Sequence, residues 1–323
     1  MIATGGTISS VRIDEEWTNV GGLELLASAV DECELDEAGI VVDDLATGSS
    51  SNLSTAEMVR IARRIGETLD EGSDGVVVTH GTDTIELTAF VAQLLLGVEP
   101  TRRPVVFTGS MRVHSDPERD GLRNLTDAVD VARSDRSLGR EVLVCVDGRL
   151  HTSDRVRKID ARSLDAFSSA PFDPVGTVSN GTVRFTTEPS TRPAATGLTG
   201  HVPIVGCFPG IEADHIERIA AGCDGLVVEG FGDLNLPTSA WGPIHELTRS
   251  GIPVVVTSGC YTDHSASEGL DLLGAIGGGG LTTQRARLAL MAALSTASDP
   301  AEVADFIRRL AIVHDPGPRR TRP

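Results

Sequence analysis

Lysine is almost absent from this chain of 323 residues: 27 of its 28 basic side chains are arginine, and Lys158 is the one exception. A coding bias against lysine explains the deficit, and the surviving lysine can be there by chance. The alternative is that Lys158 does what arginine cannot, namely lose its proton, because a guanidinium stays charged at physiological pH. We favour the second interpretation, which makes Lys158 a candidate catalytic base.

Positive charge is scarce overall, and the formal net charge is −18 at pH 7 with an isoelectric point near 4.8. The acidic residues are spread along the chain, so they indicate a well-hydrated surface and not an acidic tail. A chain of this charge has no broad basic surface for a polyanion, and we therefore expect no nucleic-acid partner.

Long apolar runs, paired cysteines and nucleotide-binding glycine patterns are missing as well. No apolar run approaches the 18 residues of a membrane span, so no membrane partner is expected. The five cysteines have no metal-ligand spacing, and the glycine patterns of phosphate and dinucleotide loops do not occur, which predicts neither a metal nor another cofactor. An odd cysteine count without a signal peptide favours a reducing compartment, and we predict a cytoplasmic protein.

What the sequence does contain is an alternation of β-branched runs, glycine-bearing turns and helical patterns. This alternation predicts a parallel α/β sheet. A segment rich in Thr, Pro, Ser and Gly, residues 186–201, is typical of a linker. We therefore predict an N-terminal catalytic α/β domain at residues 1–185 and a smaller C-terminal α/β domain at residues 202–323.

Several local expectations follow from the N-terminal third. Ser54 and Glu57 have the spacing of a capping box and predict the start of an amphipathic helix. Residues 40–45 are predicted to form a strand, and residues 10–22 a mobile excursion. The first strand, at residues 1–3, is short, so we expect the natural chain to begin upstream.

The most informative stretch is Val76–Thr84. Val76 to Thr79 form a β-branched run that predicts a strand buried on both faces, and helical spacing resumes at Ile85. The turn between them leaves the carboxyl end of a parallel strand, where open α/β sheets bind ligands. Thr82 or Asp83 can also cap the following helix, and the two roles are compatible.

Other polar groups are expected near this turn. His80 ends the strand, and we predict that it makes an orienting hydrogen bond and does not act as a base. Hydroxyl groups follow other predicted strands, at Thr7, Ser50, Ser51 and Ser110. These hydroxyls are expected to share one edge of the sheet with Thr82, because the carboxyl ends of parallel strands meet there.

A threonine hydroxyl is a weak nucleophile and needs a base within hydrogen-bond reach. A lysine taken out of water gives up its proton more easily, and a neighbouring carboxylate can orient it, as in a catalytic triad. Thr82, Lys158 and Asp83 are therefore a candidate set, with backbone amides of the glycine turns as donors to a substrate oxyanion. The set favours acyl transfer or amide hydrolysis of a small polar substrate.

Two motifs in this order carry a specific resemblance. Ala3-Thr-Gly-Gly-Thr-Ile8 and Thr79-His-Gly-Thr-Asp-Thr84 resemble the signature segments of the bacterial-type L-asparaginase/glutaminase family. The likeness continues through five further segments, Ser50-Ser-Asn-Leu53, Thr108-Gly-Ser-Met-Arg112, Asp120-Gly-Leu-Arg-Asn124, Arg155-Val-Arg-Lys158 and Gly230-Phe-Gly-Asp-Leu-Asn235. It implies a two-domain asparaginase-type fold, with a larger, mostly parallel N-terminal sheet covered by helices on both faces and a smaller flavodoxin-like C-terminal domain.

The resemblance also implies an activity, the hydrolysis of L-asparagine to L-aspartate and ammonia through a threonine nucleophile. By position in the motifs, Thr7 corresponds to the nucleophile on the family's mobile loop. Thr82, Lys158 and Asp83 match a second catalytic set, in which the threonine is activated through the lysine.

Further residues are implied to bind the substrate. Ser50 corresponds to the hydroxyl that binds the α-carboxylate, and Asp83 also accepts the α-ammonium; Ser51 stands where some members have glutamine. Ser110 and Thr82 are expected to line the same site. Asn235 corresponds to a residue that enters the site from a neighbouring subunit, which implies a homotetramer or homodimer with sites at subunit interfaces.

The sequence departs from the family pattern in two places. Members of the family commonly have a tyrosine on the mobile loop, whereas residues 10–22 contain none and the sole tyrosine is Tyr261. Trp17 cannot replace it as a proton acceptor, because indole is only a donor. The resemblance also implies an acidic residue contributed by a partner subunit, and no motif places it: Glu268 and Asp263 are equally admissible candidates.

Three alternatives remain open at the level of sequence. One is a glutaminase-asparaginase of broad amide specificity, since a single methylene changes discrimination by only about 1–3 kcal/mol. Another is a non-catalytic member of the family that binds an amino acid. The third is an RNA-linked amidotransferase subunit, a relative with similar motifs.

Overall fold

The computed structural model describes residues 1–14, 16–45, 48–98, 101–260 and 268–311. The chain divides into two compact units, Met1–Ala194 and Ala195–Pro323. This division falls inside the segment 186–201 that the sequence marks as a linker. Residues on its two sides bond within their own unit: the Arg140 guanidinium donates to the Thr187 carbonyl, and Thr196 Oγ1 donates to the Ser295 carbonyl.

The described part of the first unit is built on twelve strands. They are β1 (Ile2–Ala3), β2 (Ser10–Ile13), β3 (Glu16–Asn19), β4 (Asp43–Asp44), β5 (Val76–Thr79), β6 (Val105–Thr108), β7 (Leu143–Val146), β8 (Arg149–Thr152), β9 (Arg157–Lys158), β10 (Phe167–Ser168), β11 (Gly176–Ser179) and β12 (Thr182–Phe185). Eight of them form one sheet in the order β12-β11-β8-β7-β6-β5-β1-β4. The run from β4 to β7 is parallel, and β8, β11 and β12 continue it in antiparallel pairing.

Helices of the first unit pack on this sheet in two pairs. They are α1 (Gly22–Cys33), α2 (Thr55–Asp70), α3 (Ile85–Leu96) and α4 (Gly121–Arg133). Helices α1 and α4 share one core with Val77 and Val106. Helices α2 and α3 pack against each other and against the same strands. Neighbouring side chains of a strand point to opposite faces, so Val76 and Val78 lie on the face covered by α2 and α3. The mostly parallel α/β sheet that the sequence predicts is confirmed.

The predicted start of α2 is also confirmed. The Ser54 hydroxyl accepts the Glu57 N–H at 3.3 Å, and the Glu57 carboxylate accepts the Ser54 N–H at 2.7 Å. This reciprocal pair satisfies two backbone donors that the first turn of a helix otherwise leaves free.

The structure adds detail to one local expectation and shortens another. The segment predicted as a mobile excursion, residues 10–22, contains two paired strands: β2 and β3 pair in register from Ser10 with Asn19 to Ile13 with Glu16, and Trp17 is 62% exposed. The pairing escapes detection because all of β3 is exposed, which removes the apolar alternation. The strand predicted at 40–45 is only Asp43–Asp44, since its neighbour β1 has just two residues to pair with.

The second unit has a smaller, fully parallel sheet in its described part. Its strands are β13 (Ile204–Gly206), β14 (Leu226–Gly230), β15 (Val254–Ser258) and β16 (Ile276–Gly277), in that order, and its helices are α5 (Ala213–Ala220), α6 (Thr238–Arg249), α7 (Glu268–Leu273), α8 (Thr283–Thr296) and α9 (Pro300–Leu310). In neither unit is a described helix both long and apolar enough to cross a membrane.

Candidate active site

The candidate site lies at the carboxyl ends of three adjacent parallel strands. The register places Ala3 of β1 beside Thr79 of β5, and Thr79 beside Thr108 of β6. The turns that follow these residues therefore begin at the same level of one sheet edge. This is the edge at which parallel α/β sheets hold their ligands.

The central contact joins Lys158 to the turn after β5. Lys158 Nζ lies 2.8 Å from Thr82 Oγ1 and 2.8 Å from Asp83 Oδ1. The lysine side chain is 20% exposed and the Asp83 side chain is 61% exposed. The amine is therefore largely withdrawn from water, whereas the carboxylate faces solvent, where the charged group of a ligand can reach it.

Two glycines allow the surrounding turns to touch. A Cβ atom added to Gly6 would lie 2.4 Å from the Gly81 Cα, and one added to Gly81 would lie 2.5 Å from the Ser50 Oγ. Neither approach leaves room for a side chain. Thr7, which follows Gly6, thus comes from a turn packed directly on the turn of Thr82, and Ser50 lies on the same cluster of turns.

Helix α3 begins at Ile85, where the helical spacing of the sequence resumes, but its cap differs from the expected one. Its N-cap is Thr84, and no side chain caps it. The Thr84 hydroxyl instead donates to the Ser50 carbonyl at 2.8 Å. The expectation that Thr82 or Asp83 caps this helix is therefore wrong, because both residues precede the N-cap and their side chains contact Lys158.

His80 is fully buried at the end of β5. Its Nδ1 lies 2.8 Å from the Gly81 carbonyl oxygen, and burial lowers its pKa to about 4. The imidazole is therefore neutral near pH 7, and its Nδ1–H donates to the turn that carries Thr82. This geometry favours the orienting role over a base role.

We expect the protein to lose stability in mild acid, because two of its histidines are buried. Burial lowers the pKa of both His80 and His151 to about 4, from an ordinary value of 6.5. As the pH falls from 6.5 towards 4, the unfolded chain binds protons that the folded protein excludes. Stability therefore falls, by up to about 3 kcal/mol for each histidine. Asp127 opposes the trend, since burial raises its pKa to about 6 and the folded protein binds a proton more readily there.

Urea unfolding at about pH 7, 5.5 and 4.5 measures this dependence. We expect the unfolding free energy of the wild type to fall across the series, less steeply for His151→Gln and more steeply for Asp127→Asn. Equal slopes for the wild type and His151→Gln would contradict the assignment of a proton-excluding role to His151.

The turn after β6 is held by two side chains to which sequence analysis assigned no role. The Asp120 carboxylate accepts the backbone N–H of Arg112 at 3.0 Å and the Asn124 side-chain amide at 3.1 Å. The Asn124 amide also donates to the Gly109 carbonyl at 2.9 Å. Ser110, inside this turn, is buried, and its hydroxyl donates to the Arg112 carbonyl at 2.6 Å. The network fixes the backbone next to Thr82.

The other candidate residues have contacts of their own or lie outside the described residues. Ser51 is exposed, with its hydroxyl 2.9 Å from that of Ser49. Asn235 belongs to the second unit, where its side-chain amide donates to the Gly232 carbonyl at 2.7 Å. Glu268 opens helix α7, and its side chain lies outside the described part of the structure, as do the residues Asp263 and Tyr261.

One residue that sequence reasoning missed touches the lysine itself. The backbone N–H of Lys158 donates to Glu86 Oε2 at 2.8 Å. The two residues are 72 positions apart, so no local pattern reveals the contact. Across the described residues, no group of three or more His, Cys, Asp and Glu side chains is arranged to hold a metal ion.

Comparison with known proteins covers both units. Residues 1–191 match the family model "Asparaginase, N-terminal", and residues 201–307 match "Glutaminase/Asparaginase C-terminal domain". A glutamyl-tRNA(Gln) amidotransferase subunit from Methanobrevibacter smithii is 32% identical over 96% of this chain and 74% of its own. L-asparaginase 2 of Bacillus subtilis is 30% identical over 94% of this chain and 84% of its own.

Solved structures give the same result. The thermostable L-asparaginase from Thermococcus kodakarensis superposes with a TM-score of 0.85 at 26% identity, covering 96% of this chain and 97% of that one. A probable cytoplasmic L-asparaginase from Campylobacter jejuni gives 0.84 at 29% identity, covering 95% and 98%. Taken with the two matching family models, these similarities establish that the chain belongs to the asparaginase family of amidohydrolases.

Proposed function

We propose that this chain is an L-asparagine amidohydrolase, which converts L-asparagine and water into L-aspartate and ammonia. The observation that carries the proposal is the contact of Lys158 Nζ with Thr82 Oγ1 and Asp83 Oδ1, each at 2.8 Å. Nζ and Oγ1 are at the distance that proton transfer requires, so a neutral amine at this position can accept the proton of the threonine hydroxyl. Asp83 orients the amine and stabilises it when it becomes charged.

The proposed reaction has two steps. A threonine Oγ1 attacks the side-chain amide carbon of asparagine, and the proton it loses passes through the base to the leaving nitrogen, which departs as ammonia. Water then attacks the resulting ester, gives a proton to the threonine oxygen through the same base, and releases aspartate. Backbone amides of the glycine turns stabilise the oxyanion formed in both steps.

Thr82 has a candidate base, Lys158, within hydrogen-bond distance of its hydroxyl. Thr7 lies on the turn that packs against the turn of Thr82. We assign both threonines to the catalytic set with Lys158 and Asp83. Alanine and serine variants of each threonine separate the two contributions.

Substrate binding is assigned to the surrounding polar groups. Ser50 Oγ, which lies against Gly81, is proposed to bind the α-carboxylate, and the exposed Asp83 carboxylate the α-ammonium. Ser51 and Ser110 are proposed to contribute further hydroxyls to substrate binding. Asn235 is proposed to enter the site of a neighbouring copy in a homotetramer or homodimer. Sedimentation of the purified protein measures this oligomeric state.

A second candidate is amide hydrolysis in the service of an amidotransferase. It is favoured by the 32% identity to a glutamyl-tRNA(Gln) amidotransferase subunit, which is as high as the identity to L-asparaginase 2. A protein of this kind is expected to release little ammonia by itself.

Steady-state kinetics of the purified chain, without any partner, separate these functions. We expect ammonia release from both amides, with kcat/KM for L-asparagine about 10- to 100-fold above that for L-glutamine, the range that one methylene allows. A reversed preference indicates a glutaminase-asparaginase. Calorimetric binding of aspartate without turnover indicates a non-catalytic or partner-dependent protein and rejects the proposal.

A further inference from the structure

Lys158 is held at its backbone as well as at its amine. Glu86 lies in the first turn of α3, immediately after the turn that carries Thr82 and Asp83. Its Oε2 accepts the Lys158 N–H at 2.8 Å. The turn before α3 thus contacts the lysine amine through Thr82 and Asp83, and the first turn of α3 contacts the lysine backbone through Glu86.

The pairing of β9 explains why this N–H is available. Lys158 faces Phe167 across the β9–β10 pair, and the next facing pair is bonded, with Ile159 donating to the Ala166 carbonyl at 2.7 Å. Facing residues of an antiparallel pair alternate between bonded and non-bonded. Lys158 therefore belongs to a non-bonded pair, and its N–H points away from β10, towards α3.

Strand β9 is short, so its position depends on the hydrogen bond to Glu86 as well as on its pairing with β10. The sheet of β9 and β10 has two strands of two residues each, and such an isolated pair is only marginally stable by itself. The Cα of Lys158 sets the region that Nζ can reach. The side chain between them has four rotatable bonds, so it does not by itself keep Nζ beside Thr82.

We propose that Glu86 is a positioning residue for catalysis, which fixes the strand of Lys158 so that Nζ stays within reach of Thr82 Oγ1. The inference rests on the proposed function of Lys158 as the base. Glu86 acts through a hydrogen bond to a neutral backbone amide, so its reach matters and its charge does not. It contacts neither the reacting threonine nor the amine.

Three variants of Glu86 separate reach from charge. Glu86→Gln keeps the acceptor oxygen at the same length without the charge, and we expect its kcat within about threefold of the wild type. Glu86→Asp keeps the charge but shortens the reach, and Glu86→Ala removes the acceptor. Both should lower kcat about 10- to 100-fold, the effect of a misplacement near 1 Å, with KM changed less than about threefold.

Glu24→Ala is the matched control, because Glu24 is an exposed glutamate in the first turn of α1. It should keep the kcat of the wild type. Hydrogen exchange at the Lys158 amide gives a readout that does not depend on turnover: exchange should accelerate in Glu86→Asp and Glu86→Ala and stay slow in Glu86→Gln. Thermal melting shows that each variant is folded.

Equal losses of kcat in Glu86→Gln and Glu86→Ala would overturn the inference in favour of an electrostatic role. Full activity of Glu86→Ala would overturn it altogether, as would an unchanged rate of amide exchange. A wild type that hydrolyses neither amide rejects the proposed function and the catalytic part of this inference with it, while the exchange rates still decide whether Glu86 holds the strand.

Discussion

Lys158→Met is expected to lower kcat for asparagine about 10³-fold or more. Methionine is as long as the aliphatic part of lysine but has no amine to take a proton from Thr82, and general-base catalysis is worth about 10²–10⁴-fold. Stability should change little, because the lost partner, Asp83, is 61% exposed and its ion pair is screened by water. Ammonia release under saturating asparagine measures the loss.

Lys158→Arg tests the chemical reason for that loss. A guanidinium keeps the positive charge near Asp83 but does not give up its proton in the working range of pH. We therefore expect Lys158→Arg to be nearly as inactive as Lys158→Met. If it keeps more than about a tenth of the wild-type kcat, Lys158 acts as a fixed charge and not as a base.

The second large effect is expected from Thr82→Ala, with a loss of kcat of about 10³-fold and at least as great as that of Thr7→Ala. Thr82 holds the hydroxyl that contacts Lys158 at 2.8 Å. The segment after Thr7 contains no tyrosine, so no phenol is available there as a proton acceptor. Paired kcat and KM values for the two alanine variants make the comparison.

Serine variants are the matched controls for this pair. Thr82→Ser and Thr7→Ser each keep a hydroxyl at the same position and should retain more activity than the alanine variants. Should Thr82→Ala keep most of its activity while Thr7→Ala abolishes it, the emphasis on the Thr82–Lys158 pair is wrong.

The fold and the centre of the site could be predicted because they leave strong local signals. The β-branched run Val76–Thr79 and the polar turn after it locate the end of a strand from the local sequence pattern. A single lysine among 28 basic residues is equally visible. A threonine hydroxyl needs a base, so Thr82 and Asp83 could be grouped with the single lysine, Lys158, before any distance between them was known.

Contacts between distant parts of the chain could not be predicted in the same way. The bond from the Lys158 N–H to Glu86 spans 72 positions, and Asn124 reaches the Asp147 amide across 23. Both depend on the depth at which one element packs on another, which no periodicity encodes. The cap of α3 was assigned wrongly for a related reason, since Thr84 is held by the Ser50 carbonyl from another turn.

Ammonia and aspartate release from L-asparagine is the most direct test that Thr82, Lys158 and Asp83 form an amide-hydrolysing site. The purified wild type should be compared with Thr82→Ala and Lys158→Met, at low and high salt because the net charge is −18. We predict equal amounts of the two products from the wild type and a loss of about 10³-fold in both variants. No ammonia from the wild type at any salt concentration, or variants that match it, would contradict the account.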